Sequence, residues 1–303
     1  MIECLDHASG ENWTLFNGDC VEVMRQLPDA SIGMSIFSPP FAQLFIYSES
    51  ERDMGNCNDE AHFFECYRHV ASELYRLTKP GRICVVHCTD LPRTKSVHGH
   101  VGLYDFPADL RKAHEDAGWI YHSRVTVWKD PVVEMQRTKA LGLLYKQLCK
   151  DSTRSRMGMP DYLMVFRKDI LDETQSEPVG KDRASFPVDQ WQKWASPVWM
   201  DIQQTKVLNN YRDGKDPEDE KHICPLQLDL IERCVRMWSN PGDVVLSPFA
   251  GIGSEGYEAV KAGRRFIGTE LKAGYFKTAI KNLRDAELTG SSPLLDMAGA
   301  ADD

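Results

Sequence analysis

The chain has 303 residues, 42% of them hydrophobic, and a formal net charge of −9. That is enough chain to bury a full core as one large domain or a domain with an insertion, and the composition excludes a disordered polypeptide. No stretch approaches the roughly 18 consecutive apolar residues of a membrane span, and the start MIECLDHASGENW lacks the charged and apolar regions of a secretory leader; a cytoplasmic protein with no membrane partner is predicted.

In chain order, residues 13–16 suggest a short strand, 20–27 a short helix, and 32–37 a strand that stops at Ser38-Pro39-Pro40-Phe41. Two prolines cannot continue a central ladder, so the chain must turn there. Residues 61–78 repeat apolar side chains (Phe63, Phe64, Tyr67, Val70, Ala71, Leu74, Leu77) with a helical period, closed by Pro80-Gly81. A buried strand follows at 83–87, then a helix over 106–117 closed by Gly118, then strands near 120–128 and 162–166. Residues 129–221 are polar, rich in proline and tryptophan, and weakly periodic, as an insertion would be. A helix then spans 225–238, a short strand 244–246, a glycine loop from Phe249 to Gly256, a helix 257–262 and a strand 265–268 that leads to Glu270. Alternating strands and helices favour a largely parallel sheet covered by helices. The small, polar residues 287–303 read as a flexible tail.

The nine cysteines are scattered and several sit in apolar runs, which suits reduced, buried thiols. Cys84 and Cys88 lie four apart in a strand, unlike the compact knuckle of a zinc site, so no metal is expected. The net charge alone argues against nucleic acid as a partner. Its distribution argues the other way: acids crowd into residues 213–220 and the end of the chain, whereas Lys129, Arg137, Lys139, Lys146, Lys150, Arg154 and Arg156 fall in one segment.

A loop carrying Gly251, Gly253 and Gly256 directly after a strand lets backbone come close to a ligand, because no Cβ intervenes. Glu270, at the end of the next strand, is placed to accept hydrogen bonds from two ribose hydroxyls. From these residues alone, a dinucleotide site and a plain strand-to-helix turn both remain open. Ser38-Pro39-Pro40-Phe41 should sit at the carboxyl end of the sheet, where open α/β folds place their chemistry. An aromatic amine is a poor nucleophile because its lone pair is delocalised into the ring, and two acceptors aimed at its N–H bonds favour an sp³-like nitrogen. The Ser38 hydroxyl oxygen and the Pro39 carbonyl, stiffened by Pro40, are such acceptors. Phe41 offers a ring for base stacking, worth about 1–3 kcal/mol in nucleic-acid sites.

Together these segments resemble the amino methyltransferases of DNA, in the permuted β-class order where the catalytic tetrapeptide precedes the cofactor loop. The resemblance rests on Asn17-Gly18-Asp19-Cys20, on Ser38 to Phe41, on Leu246-Ser247-Pro248-Phe249-Ala250-Gly251-Ile252-Gly253 and on Arg265 to Glu270. It implies a Rossmann-like α/β methyltransferase fold with a mostly parallel, seven-stranded, circularly permuted sheet. It divides the chain into a catalytic part (1–128), a target recognition region (129–221, with a return strand near 161–167), a cofactor-binding part (222–286) and a tail (287–303). S-adenosylmethionine is the implied cofactor. Asp19 and Cys20 would border its adenine; Ser38, His222, Ser247, Phe249, Ala250, Gly251, Gly253 and Ser254 would lie around the rest of it; Glu270 and Leu271 would meet its ribose. Ser247 departs from the family's usual Asp, and the usual His-Pro pair is interrupted as His222-Ile223-Cys224-Pro225.

The implied activity is methylation of an exocyclic amino group in double-stranded DNA after the base is flipped out of the helix. A Ser at the first motif position is commonest among cytosine-N4 enzymes, but the longer run SPPFAQLFIYSESERDMGN resembles a phage- and prophage-type subgroup with adenine-N6 activity, so adenine is favoured. Arg52, Lys129, Arg137, Lys139, Arg154 and Arg156 are the candidate DNA contacts, and His87 is read as a buried structural histidine. A homodimer is expected, with any restriction endonuclease encoded separately in a bacterium or phage.

Overall fold

The computed structural model describes residues 2–40, 54, 57, 59–138, 141–170, 176–208 and 225–290. The chain forms β1 (Asp6–Ser9), β2 (Trp13–Asn17), α1 (Cys20–Arg25), β3 (Ile32–Phe37), α2 (Glu60–Leu77), β4 (Thr78–Cys88), β5 (Leu91–Arg93), α3 (Lys95–His98), β6 (Gly102–Tyr104), α4 (Phe106–Asp116) and β7 (Ile120–Val127). There follow α5 (Pro131–Thr138), α6 (Tyr145–Lys150), β8 (Asp161–Arg167), α7 (Val188–Trp194), β9 (Val198–Trp199), α8 (Leu228–Trp238), β10 (Val244–Ser247), α9 (Ser254–Lys261), β11 (Arg265–Glu270) and α10 (Ala273–Gly290).

Nine strands make one sheet in the order β1-β2-β11-β10-β3-β4-β8-β7-β9, and β5 and β6 form a separate hairpin. The sheet is mixed: β2, β11, β10, β3 and β4 run parallel, β8 is antiparallel to both β4 and β7, and β1 is antiparallel to β2. The expected count of seven strands is therefore corrected by two short edge strands, β1 and β9, of which β9 continues the sheet in parallel with β7. Neither carries a pattern long enough to be read from sequence, since β9 has two residues and β1 only four.

Helices cover both faces, so the central strands bury side chains up and down. Met34 and Ile36 of β3, Val85 of β4, Val165 of β8 and Val245 of β10 join one core with α8, α9 and α10. The alternate residues Phe37, Cys84, Val86, Phe166 and Leu246 join the other with α1, α2 and α4. This period of two on both faces is why the strands read as unbroken apolar runs.

Two boundaries differ from those expected. Residues 188–202 do not stand apart as an insertion: Trp199 is 1% exposed in the first core, and its indole N–H donates to the Trp194 carbonyl. The polar composition there reflects an edge strand packed on one side only. The described residues of 128–160, between β7 and β8, contribute no strand to the sheet. Helix α10 continues to Gly290, past the predicted start of the tail, because Glu287 still accepts a hydrogen bond from the Asn12 backbone. Among the described residues no helix is long and apolar enough to cross a membrane.

Candidate active site

Because β2, β11, β10, β3 and β4 are parallel, their carboxyl ends share one edge of the sheet. Ser38 leaves β3 there, and the glycine loop leaves the neighbouring β10, with Leu246 in register with Ser35. Two stretches of chain more than two hundred residues apart thus meet at one place. The Phe37 and Phe249 rings, one from each stretch, lie 5.8 Å apart.

Backbone hydrogen bonds shape the loop. Ala250 N–H donates to Thr269 O at 2.8 Å and Gly253 N–H to Ala250 O at 2.7 Å, while the buried Asn282 amide donates to Ile252 O at 2.7 Å. Gly251 (φ 53°) and Gly253 (φ 85°) take left-handed backbone that favours glycine. A Cβ at Gly253 would press within 3.2 Å of Ala279, whereas one at Gly251 would meet nothing within 4 Å, so the space above the loop is open. Ser254, just beyond, is buried as the first residue of α9.

Glu270 ends β11 and turns back on this loop. Its two carboxylate oxygens accept from Gly251 N–H and Lys272 N–H, each at 2.8 Å. The Asn17 amide donates to the carbonyls of Glu270 and Leu271 at 2.7 and 3.0 Å, bringing the end of β2 alongside. Asp19 there caps α1 by accepting from Val21 and Glu22 N–H, and burial pushes the neighbouring Cys20 thiol above its ordinary range, with Asp19 and Glu270 adding to the effect. Asp19, Cys20, Phe249, Ala250, Gly251, Gly253, Ser254, Glu270 and Leu271 are therefore brought together. The Ser247 hydroxyl, buried at the last residue of β10, has no hydrogen-bond partner among the described residues.

Ser38 is half-buried between the sheet edge and solvent, with Pro39 and Pro40 buried behind it. Its Oγ lies 3.0 Å from His87 Nδ1 and 3.3 Å from His87 O. His87 belongs to β4, beside β3, so this contact follows from strand adjacency. His87 Nε2 lies 3.2 Å from Asp161 Oδ2, close but poorly aligned for a hydrogen bond, and the other Asp161 oxygen pairs with Lys129. Asp161 is 3% exposed. Burial pushes its carboxyl up, but His87 and Lys129 outweigh that and hold it below the usual carboxylate range. His87, read from sequence as structural, thus touches the catalytic candidate; a polar residue closing the apolar run ICVVHC at a strand's carboxyl end was the available signal.

Two of the candidate DNA contacts are committed elsewhere. Lys129 serves Asp161, and Arg156 is turned toward the buried Glu134 at 3.8 Å, where Glu134 also accepts from Met159 N–H. Both are short-range partners of buried acids, which the clustering of positive charge could not reveal. Arg154 is 76% exposed and only 4.0 Å from Asp151, a loose pair that leaves it available. Phe41, Arg52, Lys139, His222 and the side chain of Arg137 lie outside the described residues. One histidine–cysteine group was not foreseen: Cys57, His62 and Cys66 bring three ligand atoms within 4.8 Å of one another, one short of the four that close a structural zinc site.

A sheet edge carrying a glycine loop, a carboxylate hydrogen-bonded to it and a Ser-Pro-Pro turn on the adjacent strand is the arrangement of a nucleotide-cofactor group-transfer enzyme. The chain matches the N6/N4 methyltransferase family described as DNA methylase over residues 32–281, and it belongs to that family. It is 23% identical over 279 residues to the DNA adenine methyltransferase YhdJ of Escherichia coli, covering 89% of this chain and 82% of that one. It is 24% identical over 267 residues to the type II methyltransferase M.MthZI of Methanothermobacter thermautotrophicus, covering 82% and 70%. Among solved structures, a DNA modification methylase of Thermus thermophilus complexed with S-adenosyl-L-methionine superposes with TM-score 0.66 at 24% identity, over 90% of this chain and 93% of the other. The cytosine-N4-specific PvuII DNA methyltransferase superposes with TM-score 0.63 at 18% identity, over 93% of each.

The enzyme is a DNA methyltransferase that uses S-adenosylmethionine. The residues fit that cofactor: the open space over Gly251 and the buried Ser247 hydroxyl, which has no partner among the described residues, suit a ligand with hydroxyl and amino groups.

Proposed function

We propose that this chain methylates the N6 amino group of adenine in duplex DNA after the base is rotated out of the helix. The observation that carries the reading is the meeting of Ser38 and the glycine loop at adjacent parallel strand ends. When bound, the cofactor supplies an electrophilic methyl group. The protein's own part is to hold the amino nitrogen in line with it, since such a displacement needs mainly proximity and alignment. Ser38 Oγ and the Pro39 carbonyl accept the two N–H bonds and turn the lone pair outward, Phe41 stacks on the base, and Glu270 with Gly251 fixes the nucleoside end of the cofactor. Flipping the base costs a few kcal/mol, which the stacking offsets. Arg154, with the basic residues around it, meets phosphates.

The family resemblance of the run after Ser38 and the likeness to an adenine methyltransferase over most of the chain support adenine. Cytosine-N4 is the second reading, favoured by the serine at position 38 and by the likeness in fold to the PvuII enzyme. Expression in a methylation-free host, followed by sequencing that separates N6-methyladenine from N4-methylcytosine, tests the proposal. Modified adenine in a fixed sequence context supports it, modified cytosine replaces it with the second reading, and unmodified DNA refutes both.

A further inference from the structure

Ser38, His87, Asp161 and Lys129 form a continuous polar chain leading from the reaction edge into the molecule. Topology puts it there. His87 is next to last in β4, Asp161 opens the antiparallel β8 at the same end of the sheet, and Lys129 stands just past β7, whose Val127 is in register with Asp161. His87 and Asp161 sit at positions that, by strand alternation, continue the face of Val85 and Val165, so they point to one side of the sheet. Cys88, Tyr162 and Arg124, which lies 4.8 Å over the Tyr162 ring, alternate to the opposite face, and Asp90 and Asp105 act on Cys88 and Tyr162 there. Among the described residues, the acid beside His87 is Asp161, and the amine paired with that acid is Lys129.

We infer that His87 is a positioning residue and proton acceptor for methyl transfer, acting through Ser38 and tuned by the Asp161–Lys129 pair. The inference rests on the proposed reaction. On this inference hydrogen sits on Nε2, which lies 3.2 Å from the Asp161 carboxylate, an acceptor only; a small turn of the ring would bring the two into line and leave Nδ1 as an acceptor. The Ser38 hydroxyl then donates to Nδ1, which leaves its lone pairs directed away from the protein as acceptors for the substrate N–H. As the amino nitrogen bonds to the methyl carbon, the carbon–sulfur bond breaks with its electron pair going to sulfur, and the nitrogen becomes cationic. One of its protons passes to Ser38 Oγ while the Ser38 hydroxyl proton passes to His87 Nδ1. The imidazolium formed lies beside the Asp161 carboxylate, and the proton is later returned to water.

The experiment is single-turnover transfer of tritiated methyl from S-adenosylmethionine to methylation-free plasmid DNA, measured against pH, with calorimetric cofactor titration as the check on folding. The wild type should lose rate at acid pH. His87→Asn keeps a side-chain acceptor for Ser38 but cannot take the proton; its rate should fall by on the order of 10²-fold and lose the acid limb, with cofactor affinity unchanged. Asp161→Asn removes a negative charge beside the ring and should move the acid limb to lower pH. Lys129→Met removes a positive charge and should move it to higher pH. If one of these variants fails to fold, the shift in the other still tests the inference, and a merely structural histidine would give neither. A wild-type rate in His87→Asn, or an acid limb that stays fixed in the charge variants, overturns the inference. No label transfer by the wild type would instead refute the methyltransferase reading beneath it.

Discussion

Glu255, in the first turn of α9, shows how the cofactor loop weighs against stability. It is 5% exposed, and burial pushes its carboxyl up to about 8, with a backbone hydrogen bond pulling the other way and the like charge of Glu270 adding to the rise. The native state therefore keeps a proton that the unfolded chain releases near 4.5. Between those two values stability falls as pH rises, by about 1.4 kcal/mol per pH unit at most. Glu255→Gln should be more stable than the wild type at pH 8 and lose that advantage toward pH 4.5, as thermal melts across the range would show; parallel melting curves would contradict the buried, protonated state. For Glu270 and Ser38 the expected split is kinetic. Glu270→Ala frees Gly251 N–H and should weaken cofactor binding, measured by titration, more than it slows single-turnover transfer. Ser38→Ala should slow transfer and leave binding intact.

At the scale of elements, the opposite end of the sheet is a clamp of buried charge. Arg82 (1% exposed), the fifth residue of β4, pairs with Asp243 ahead of β10 at 2.8 Å, and Asp243 also accepts from Asn240 N–H in the turn that leads into the strand. A Cβ on Gly33 of β3 would lie 2.6 Å from that carboxyl group, so glycine makes room for it. Asp243→Ala takes the buried partner from Arg82, leaving it the exposed Glu177 carboxylate at 3.2 Å, and should cost about 3 kcal/mol in denaturant unfolding. The folded fraction should retain the wild-type transfer rate, because this end lies away from the chemistry; a slowed but stable variant would contradict the assignment. Such pairs were not legible in the sequence, since 161 residues separate the partners. The strands β3, β4, β8 and β10 were legible because burial on both faces writes a continuous apolar run. The helix α2 was legible through its stripe from Phe63 to Leu77. The hairpin of β5 and β6, with three residues in each strand, leaves no period to read. The site divides in the same way: local glycine and proline chemistry marked the two loops, while the tie from Ser38 to His87 and Asp161 depends on strand neighbours that only the fold defines.

For the whole molecule, the order β2-β11-β10-β3-β4 sets two strands from the carboxyl-terminal part between strands of the amino-terminal part. Trp13 and Leu15 of β2 share a core with Met34 of β3, Val245 of β10, Phe266 of β11 and the helices α8 to α10. At the far edge Arg233 of α8 bonds both oxygens of Asp201, at 2.9 and 2.8 Å, and lies over the Trp194 and Trp199 rings, so α8 also holds β9. The amino-terminal part alone would expose the sides of β2 and β3 that β11 and β10 cover, a pair of unpaired edges flanking bare apolar surface. A fragment of residues 1–221 should therefore show no cooperative unfolding transition and bind no cofactor, although it contains Ser38, His87 and Asp161. Co-expression with residues 222–303 should restore both, because the break falls between β9 and α8 and leaves every strand of the described sheet whole. A cooperative transition in the isolated 1–221 fragment would mean that β2 and β3 can find another pairing, and that the carboxyl-terminal strands complete the site without being needed to form the sheet.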